Sequence, residues 1–391
     1  MPRGTTKQRR PDGQLRFGFM WQSSPTPTTT SKVVADQNPD PLDPAHQISL
    51  ARAVEEAGFD YVFFADGFVV HGENSALIGH AQPQVCATVF APVVMAATQH
   101  LGVVTTMHTR YLPPGVIARY GASLDALSGG RWGWNIVPGW KPEEAGILGI
   151  KGVTDHATRY AITTEAVEAV KQLWAARDQY IEFHGEYHDF EGKLIGPYVE
   201  QQPWPCLFNA GVSPAGQELI ASTCDYGFTP LPDDYSKVSK IVDGLAGRAE
   251  AKGRSPLDIN LAGAVGMVLG RTDADAEDKL AWIRDTLDMG SARDITHELM
   301  GGSKTYEENY EGEFDELART IGVSCGSKVL CGSPESVAEQ FLDLHRQTGV
   351  RGFMVMPCLY DAEQISLLRE IFPYLEKAGV WTPPAQREWS W

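Results

Sequence analysis

Residues 102–140, GVVTTMHTRYLPPGVIARYGASLDALSGGRWGWNIVPGW, decide the fold. An apolar, β-branched run at 101–107 leads to Pro113-Pro114, then to a segment with Val116, Tyr120, Leu124 and Leu127 on one helical face. Gly129-Gly130 and a second apolar run at 131–137 follow. Proline in the first turn and glycine just past the last is the expected asymmetry of helix ends. Strand, helix and parallel strand of these lengths make one right-handed βαβ unit. Thr106 and Asn135 fall near the C-terminal ends of its strands, the side on which parallel α/β proteins hold ligands.

The alternation continues in both directions. Upstream, 15–22 (LRFGFMWQ) and 60–66 (DYVFFAD) read as strands, joined by a helix that Asp43-Pro44 opens and Gly58 stops. Downstream, 204–211, 225–229, 258–269 and 351–358 read as strands. A helix at 157–174 carries Ile162, Ala166, Val170 and Leu173 on one stripe, a hairpin is expected around 180–190, and Ser333-Pro334 opens a late helix. Strand–helix alternation of this kind predicts an α/β fold, a (β/α)8 TIM barrel, with a doubly wound open sheet as the alternative. One domain is expected over 15–380, with a disordered tail at 1–14 and a C-terminal tail at 381–391. Segments 23–42, 67–84 and 285–330 read as insertions at the C-terminal mouth. The last of them contains YEENYEGEFDE and reads as a lid or an oligomer contact.

Bulk properties narrow the function. A chain of 391 residues, 43% hydrophobic, with 10 Trp, 13 Tyr and 15 Phe supports a large core. A formal charge of −17 argues against nucleic acid and anionic membrane surfaces as partners. No apolar run reaches membrane-spanning length, and MPRGTTKQRRPDGQ has no apolar stretch behind its arginines, so an export signal is not expected. Six scattered cysteines without C-x-x-C suit free thiols and a cytoplasmic protein. G-x-G-x-x-G after a strand, Walker A and G-x-S-x-G are absent from the sequence, and no His/Cys cluster has metal spacing, so no metal is expected. A barrel hydrolase would lack both nucleophile and metal ligands.

Four motifs carry a resemblance: L-P-P-x-x-x-A-R-x-x-A-S-L-D-A-L-S-G-G-R from Leu112, G-W-N-I-V-P-G-W from Gly133, Arg159-Tyr160, and N-A-G-V-S-P-A-G from Asn209. A late G-S-P-E-S-V-A-E-Q-F from Gly332 accompanies them. With these the chain resembles the bacterial-luciferase-like flavin-dependent monooxygenase superfamily. The likeness is greatest to its FMN-dependent pyrimidine-monooxygenase branch and looser to the dibenzothiophene-sulfone branch. The resemblance implies a TIM barrel with FMN across its mouth and a two-component enzyme. Reduced FMN would come from a separate NAD(P)H:flavin reductase, and O2 would react at flavin N5 to give an N5-peroxide. It also implies a homodimer or homotetramer. By the same resemblance Asp66, Gly67, Thr106, Asn135, Glu144, Arg159, Tyr160 and Ser213 contact FMN, and Thr106 and Asn135 border the place where oxygen meets the ring.

Physical reasons stand beside that resemblance. Ser213-Pro214 begins a helix, so its hydroxyl and the first-turn amides suit a phosphate; the plainer reading is an N-cap alone. Arg159 adds charge and Tyr160 a hydrogen bond at the same anion. Thr106 and Asn135 are neutral donors able to hold an oxygen species without protonating it, or else a β-former and a strand-end residue. Glu144 is a flavin contact or a solvated loop acid. His108, just beyond Thr106, is a candidate base or substrate hydrogen-bonder. Trp21, His71 and Trp140 are candidates to line the substrate pocket, together with Phe68 and Tyr111, against ordinary core packing for each. The loops after the first two strands differ from those of the pyrimidine branch, and such loops choose substrates. The expected substrate is therefore a small electron-poor molecule such as a pyrimidine-like heterocyclic amide, with C–N, C–S or C–halogen cleavage. The alternatives are a deazaflavin (F420)-dependent hydride-transfer enzyme and a non-catalytic flavin-binding protein.

Overall fold

The computed structural model describes residues 12–151, 155–211, 213–302, 313–387 and 391. Most of the N-terminal tail and of the YEENYEGEFDE stretch lies outside these. In chain order the elements are β1 (Arg16–Met20), α1 (Lys32–Gln37), α2 (Pro44–Ala57), β2 (Tyr61–Phe64), α3 (Glu73–Ile78), α4 (Ala87–Ala97), β3 (Gly102–His108), α5 (Pro114–Ser128), β4 (Trp132–Val137), α6 (Pro142–Ile147) and α7 (His156–Ala176). There follow β5 (Ile181–His184), β6 (Asp189–Gly192), β7 (Cys206–Asn209), α8 (Pro214–Thr223), β8 (Tyr226–Pro230), α9 (Tyr235–Ala251), β9 (Asn260–Leu269), α10 (Asp273–Asp285) and α11 (Met289–Gly302). The described chain ends with α12 (Phe314–Ser324), β10 (Val329–Gly332), α13 (Pro334–Thr348), β11 (Gly352–Pro357), α14 (Ala362–Leu368) and α15 (Phe372–Lys377).

β1, β2, β3, β4, β7, β8, β9 and β11 pair in parallel and close into a barrel, the last seam being β8 on β9 from Tyr226↔Asn260 to Pro230↔Ala264. These staves are the strands read from the sequence. β5 and β6 form the expected antiparallel hairpin. β10 is an addition: it lies beside the far end of β9, from Val329↔Gly266 to Gly332↔Leu269. It starts inside the segment read as an insertion, and its 4 residues make too short an apolar run to stand out. Another difference is the 23–42 segment, which is built into the structure. Ser31 caps α1, and the buried Thr28 and Thr29 donate to the carbonyls of Pro357 and Val323. Closely spaced hydroxyls thus satisfy carbonyls at the ends of β11 and α12.

Strand side chains alternate with period 2. Met20, Tyr61, Phe63, Val104, Phe208, Tyr226, Ala264 and Met354 fill the barrel axis, whereas Phe17, Phe19, Trp21, Val103, Met107, Trp132 and Trp134 pack outward under the helices. The same parity sends Thr106, His108 and Asn135 inward, above Val104, at the C-terminal mouth. At the other end the indole of Trp391, in the segment read as a tail, stacks on Tyr61 at 5.6 Å and lies against Gly102 and Gly133. Arg131, the last residue of the S-G-G-R motif, is 5% exposed and donates to the carbonyls of Met95, Thr98, Leu101 and Ser128. One guanidinium therefore ties α4 and α5 to the strands they feed. Among the described residues no helix is long and apolar enough to cross a membrane, and each of the six cysteines is a free thiol.

Candidate active site

Thr106 and Asn135 are register partners on β3 and β4, each 4% exposed. Thr106 Oγ1 donates to the Phe64 carbonyl at 2.8 Å, and Asn135 Nδ2 donates to Thr106 Oγ1 at 2.9 Å. The first bond uses the hydroxyl proton and so fixes the amide's orientation. Among the described residues Asn135 Oδ1 is then left buried with no partner. The sequence suggested two donors here; the structure shows Thr106 donating to its own barrel and Asn135 presenting an acceptor. A buried polar atom without its hydrogen bond costs about 1–3 kcal/mol, which a bound donor recovers.

A second group gathers where α7 and α8 begin. Asp155 caps α7, accepting from the amides of Ala157 and Thr158, and so presents Arg159 and Tyr160 on its first turn. Ser213 caps α8 by accepting from Gly216 N at 3.2 Å, and its side chain is hydrogen-bonded to Tyr160, whose phenol burial keeps protonated. A Cβ on Gly211 would lie 2.4 Å from the Tyr160 hydroxyl and 2.5 Å from Gly216 Cα. Only glycine permits that approach, and it leaves a cradle of backbone and hydroxyl groups at a positive helix end. The structure brings Tyr160 and Ser213 together, with Arg159 adjacent and half-buried.

Beyond Thr106, His108 stacks on Tyr111 (5.2 Å) and lies 5.7 Å from Phe68, so three rings from the end of β3 and two loops stand at the mouth. Gly139, at φ 74°, runs beneath the Tyr111 ring. Burial, reinforced by Lys141 against the pull of Glu144, pushes His108 down to about 4, so it is a neutral imidazole at pH 7. Glu144 is 2% exposed and accepts from Phe68 N at 3.0 Å, which rules out the solvated loop acid. Asp66 accepts from Gly67 N and Ala87 N, capping the turn into α4; burial raises its carboxyl to about 6 against those bonds.

The pocket-lining candidates separate. Trp21 is fully buried on the outward face, donates to Gln47 of α2 and tilts on Phe64, so it is not brought to the mouth. The cue was its parity with Phe17 and Phe19. Trp140 is half-buried, with the Lys141 ammonium 5.7 Å from its ring. His71 joins a cluster that sequence reading missed. Glu298 Oε1 lies 2.8 Å from His71 Nδ1 and 2.6 Å from Lys141 Nζ. His80 lies 5.6 Å from His71, 4% exposed, with neither ring nitrogen bonded, and burial pushes it down to about 3. These residues come from distant loops and from α11 and carry no shared periodicity.

An eight-stranded parallel barrel with a buried amide at its mouth and a glycine-lined helix start is a frame suited to a phosphorylated ligand. The luciferase-like monooxygenase family profile matches residues 15–352, and the chain belongs to that family. It is a flavin-dependent monooxygenase of the two-component type. The dibenzothiophene-sulfone monooxygenase of Rhodococcus erythropolis is 27% identical over 402 residues, covering 88% of each chain. The pyrimidine monooxygenase of Acinetobacter baylyi is 26% identical over 267 residues, covering 66% of this chain and 69% of its own. In fold, a riboflavin lyase crystallised with modified FMN and riboflavin superposes with a TM-score of 0.86 at 23% identity, over 95% of this chain and 93% of that one.

The residues present fit a flavin mononucleotide. Asn135 Oδ1 is an acceptor awaiting a donor, as the N–H groups of a reduced isoalloxazine ring require. The Ser213 hydroxyl and the first-turn amides of α8, held beside Tyr160 by the close Gly211–Gly216 packing, form a helix start that suits an anion.

Proposed function

We propose that this chain is the oxygenase component that receives reduced FMN from a separate NAD(P)H:flavin reductase and uses it with O2 to oxidise a small electron-poor molecule. The substrate class is a heterocyclic amide or sulfone-like compound in which a C–N, C–S or C–halogen bond is cleaved. The names of the pyrimidine and dibenzothiophene-sulfone relatives support that class. The observation that carries the reading is the unpaired Asn135 Oδ1 held beside Thr106 at the mouth. When bound, reduced FMN supplies the electrons that activate O2.

The chain's own groups do the rest. Ser213, Tyr160 and Arg159 would hold the phosphate, and Asn135 Oδ1 would accept a hydrogen bond from the flavin. Thr106 keeps the amide turned that way. Asp66, Gly67 and Glu144 shape the edge of the site, the carboxylate of Glu144 fixing the Phe68 backbone. Phe68, His108, Tyr111 and Trp140 exclude water over the ring, and neutral His108 offers the substrate a hydrogen bond without a charge. The test supplies the protein with reduced FMN, 18O2 and a panel of pyrimidines, sulfones and haloaromatics. One 18O atom in a cleaved product is expected. Flavin reoxidation with hydrogen peroxide as its sole product across the panel, while a known relative labels its own substrate, defeats the reading.

A further inference from the structure

We propose that Lys141, with His80 beside it, is a subsite for an anionic oxygen group on the substrate, a carboxylate or sulfonate, and that Glu298 fills it as an internal stand-in. The proposal rests on the mouth being the substrate site.

Lys141 follows β4 by four residues, and its side chain is 9% exposed. A cation so far out of water needs an anion, and here Glu298 of α11 provides it. That carboxylate reaches the site from a helix seated on α3 largely through polar contacts. Ser75 Oγ meets Ser291 Oγ at 2.8 Å, and Asn74 Nδ2 donates to Asp294 at 3.0 Å. On its other side α11 meets α12, where Ala292 lies against Gly322 and Arg293 pairs with Asp315 at 2.7 Å. The Glu298 side chain is itself 18% exposed, so a side-chain rotation can turn its carboxylate to water and give up its place.

His80 is the independent observation. Its ring is 4% exposed and among the described residues both nitrogens lack partners, although it lies 5.6 Å from His71, whose Nδ1 is 3.2 Å from Lys141 Nζ. A neutral imidazole so placed has an N–H donor with no acceptor. An oxyanion spanning Lys141 and His80 replaces Glu298 for the first and supplies the missing acceptor to the second. A neutral group in the same place would leave the ammonium uncompensated, so the subsite selects by charge. Tyr111, stacked on His108 at the mouth, donates its hydroxyl to the Lys141 carbonyl at 3.3 Å, which puts the subsite on the mouth side of Thr106.

Binding of two probes of similar shape, benzenesulfonate and the neutral methyl phenyl sulfone, is measured by calorimetry on the protein with and without FMN. The sulfonate should bind at least roughly tenfold more tightly than the sulfone. Glu298→Gln should tighten the sulfonate roughly tenfold further and leave the sulfone unchanged. Lys141→Gln should erase the preference, and Lys141→Arg, which keeps the charge, should retain it. If Lys141 and Glu298 merely fasten α11, Glu298→Gln weakens the sulfonate as Lys141→Gln does, and the proposal is overturned. Equal binding of the two probes to the wild-type protein overturns it as well. FMN uptake is recorded separately and no turnover is needed, so a failure of the monooxygenase reading is seen apart from a failure of the subsite.

Discussion

Asn135 and Thr106 face each other across β4 and β3, and a single 2.9 Å hydrogen bond joins amide to hydroxyl. The direction of that bond is set from a third strand, because the Thr106 hydroxyl donates to the Phe64 carbonyl of β2. Three adjacent staves thus orient one carbonyl oxygen, and the acceptor they present is ordered before any ligand arrives.

Thr106→Val keeps the shape of the side chain and removes both bonds. The freed amide of Asn135 should turn, with oxygenation falling about 10–100-fold and O2 diverted to hydrogen peroxide. FMN affinity should change less than about threefold, since the phosphate end is untouched. Thr106→Ser should restore coupling. Product and peroxide yields per O2 consumed decide the matter.

The helix-start cradle should discriminate FMN from riboflavin. Ser213→Ala and Tyr160→Phe should each weaken reduced FMN by about tenfold, the worth of one charge-assisted hydrogen bond, with riboflavin affinity unchanged. Gly211→Ala should abolish FMN binding, because the new methyl would collide with Tyr160 and Gly216. Flavin titrations under anaerobic conditions read all three variants. Equal losses for both flavins would remove the phosphate role.

Stability should fall on mild acidification. His80 and His108 are pushed down to about 3 and about 4 by burial. Below pH 6.5 the unfolded chain takes up a proton at each and the folded chain does not, so this contribution is present above 6.5 and is lost as pH falls toward 4. At pH 5 it amounts to about 2 kcal/mol per histidine. Asp66, raised to about 6, acts oppositely: its folded state binds the proton first, returning about 1 kcal/mol at pH 5. These groups together should cost about 3 kcal/mol between pH 7 and pH 5, read from urea midpoints. His80→Leu should flatten the dependence by its share.

Trp391→Ala should destabilise the fold by about 3 kcal/mol, as expected for emptying an aromatic site. Its indole closes the lower end of the barrel against Tyr61 and Phe208, opposite the mouth. FMN affinity of the folded variant should therefore match wild type. Chemical denaturation and flavin titration together make the check.

The barrel was legible because strands buried on both faces leave unbroken apolar runs, and Pro113-Pro114, Gly129-Gly130, Gly58 and Ser333-Pro334 punctuate them. The Thr106–Asn135 pairing followed, since a βαβ unit places its strands side by side. Which of the two donates did not follow, because that depends on the Phe64 carbonyl. Trp21 was misread although its parity with Phe17 and Phe19 pointed outward. His80, Lys141 and Glu298 were out of reach: two loops and α11 bring them together, and the polarity of each segment alone reads as solvated surface.

β4 has a second face whose effect reaches the chemistry. Behind Asn135, Trp132 Nε1 donates to Thr105 Oγ1 at 2.9 Å and Trp134 Nε1 to the Met107 carbonyl at 3.1 Å. These two indoles stitch β4 to β3 from under the helices, on either side of the Thr106–Asn135 pair. The gap between hydroxyl and amide is consequently gauged from the rear of the sheet, independently of the loops in front. Those loops are then free to be exchanged for new substrates while the oxygen-handling pair keeps its setting.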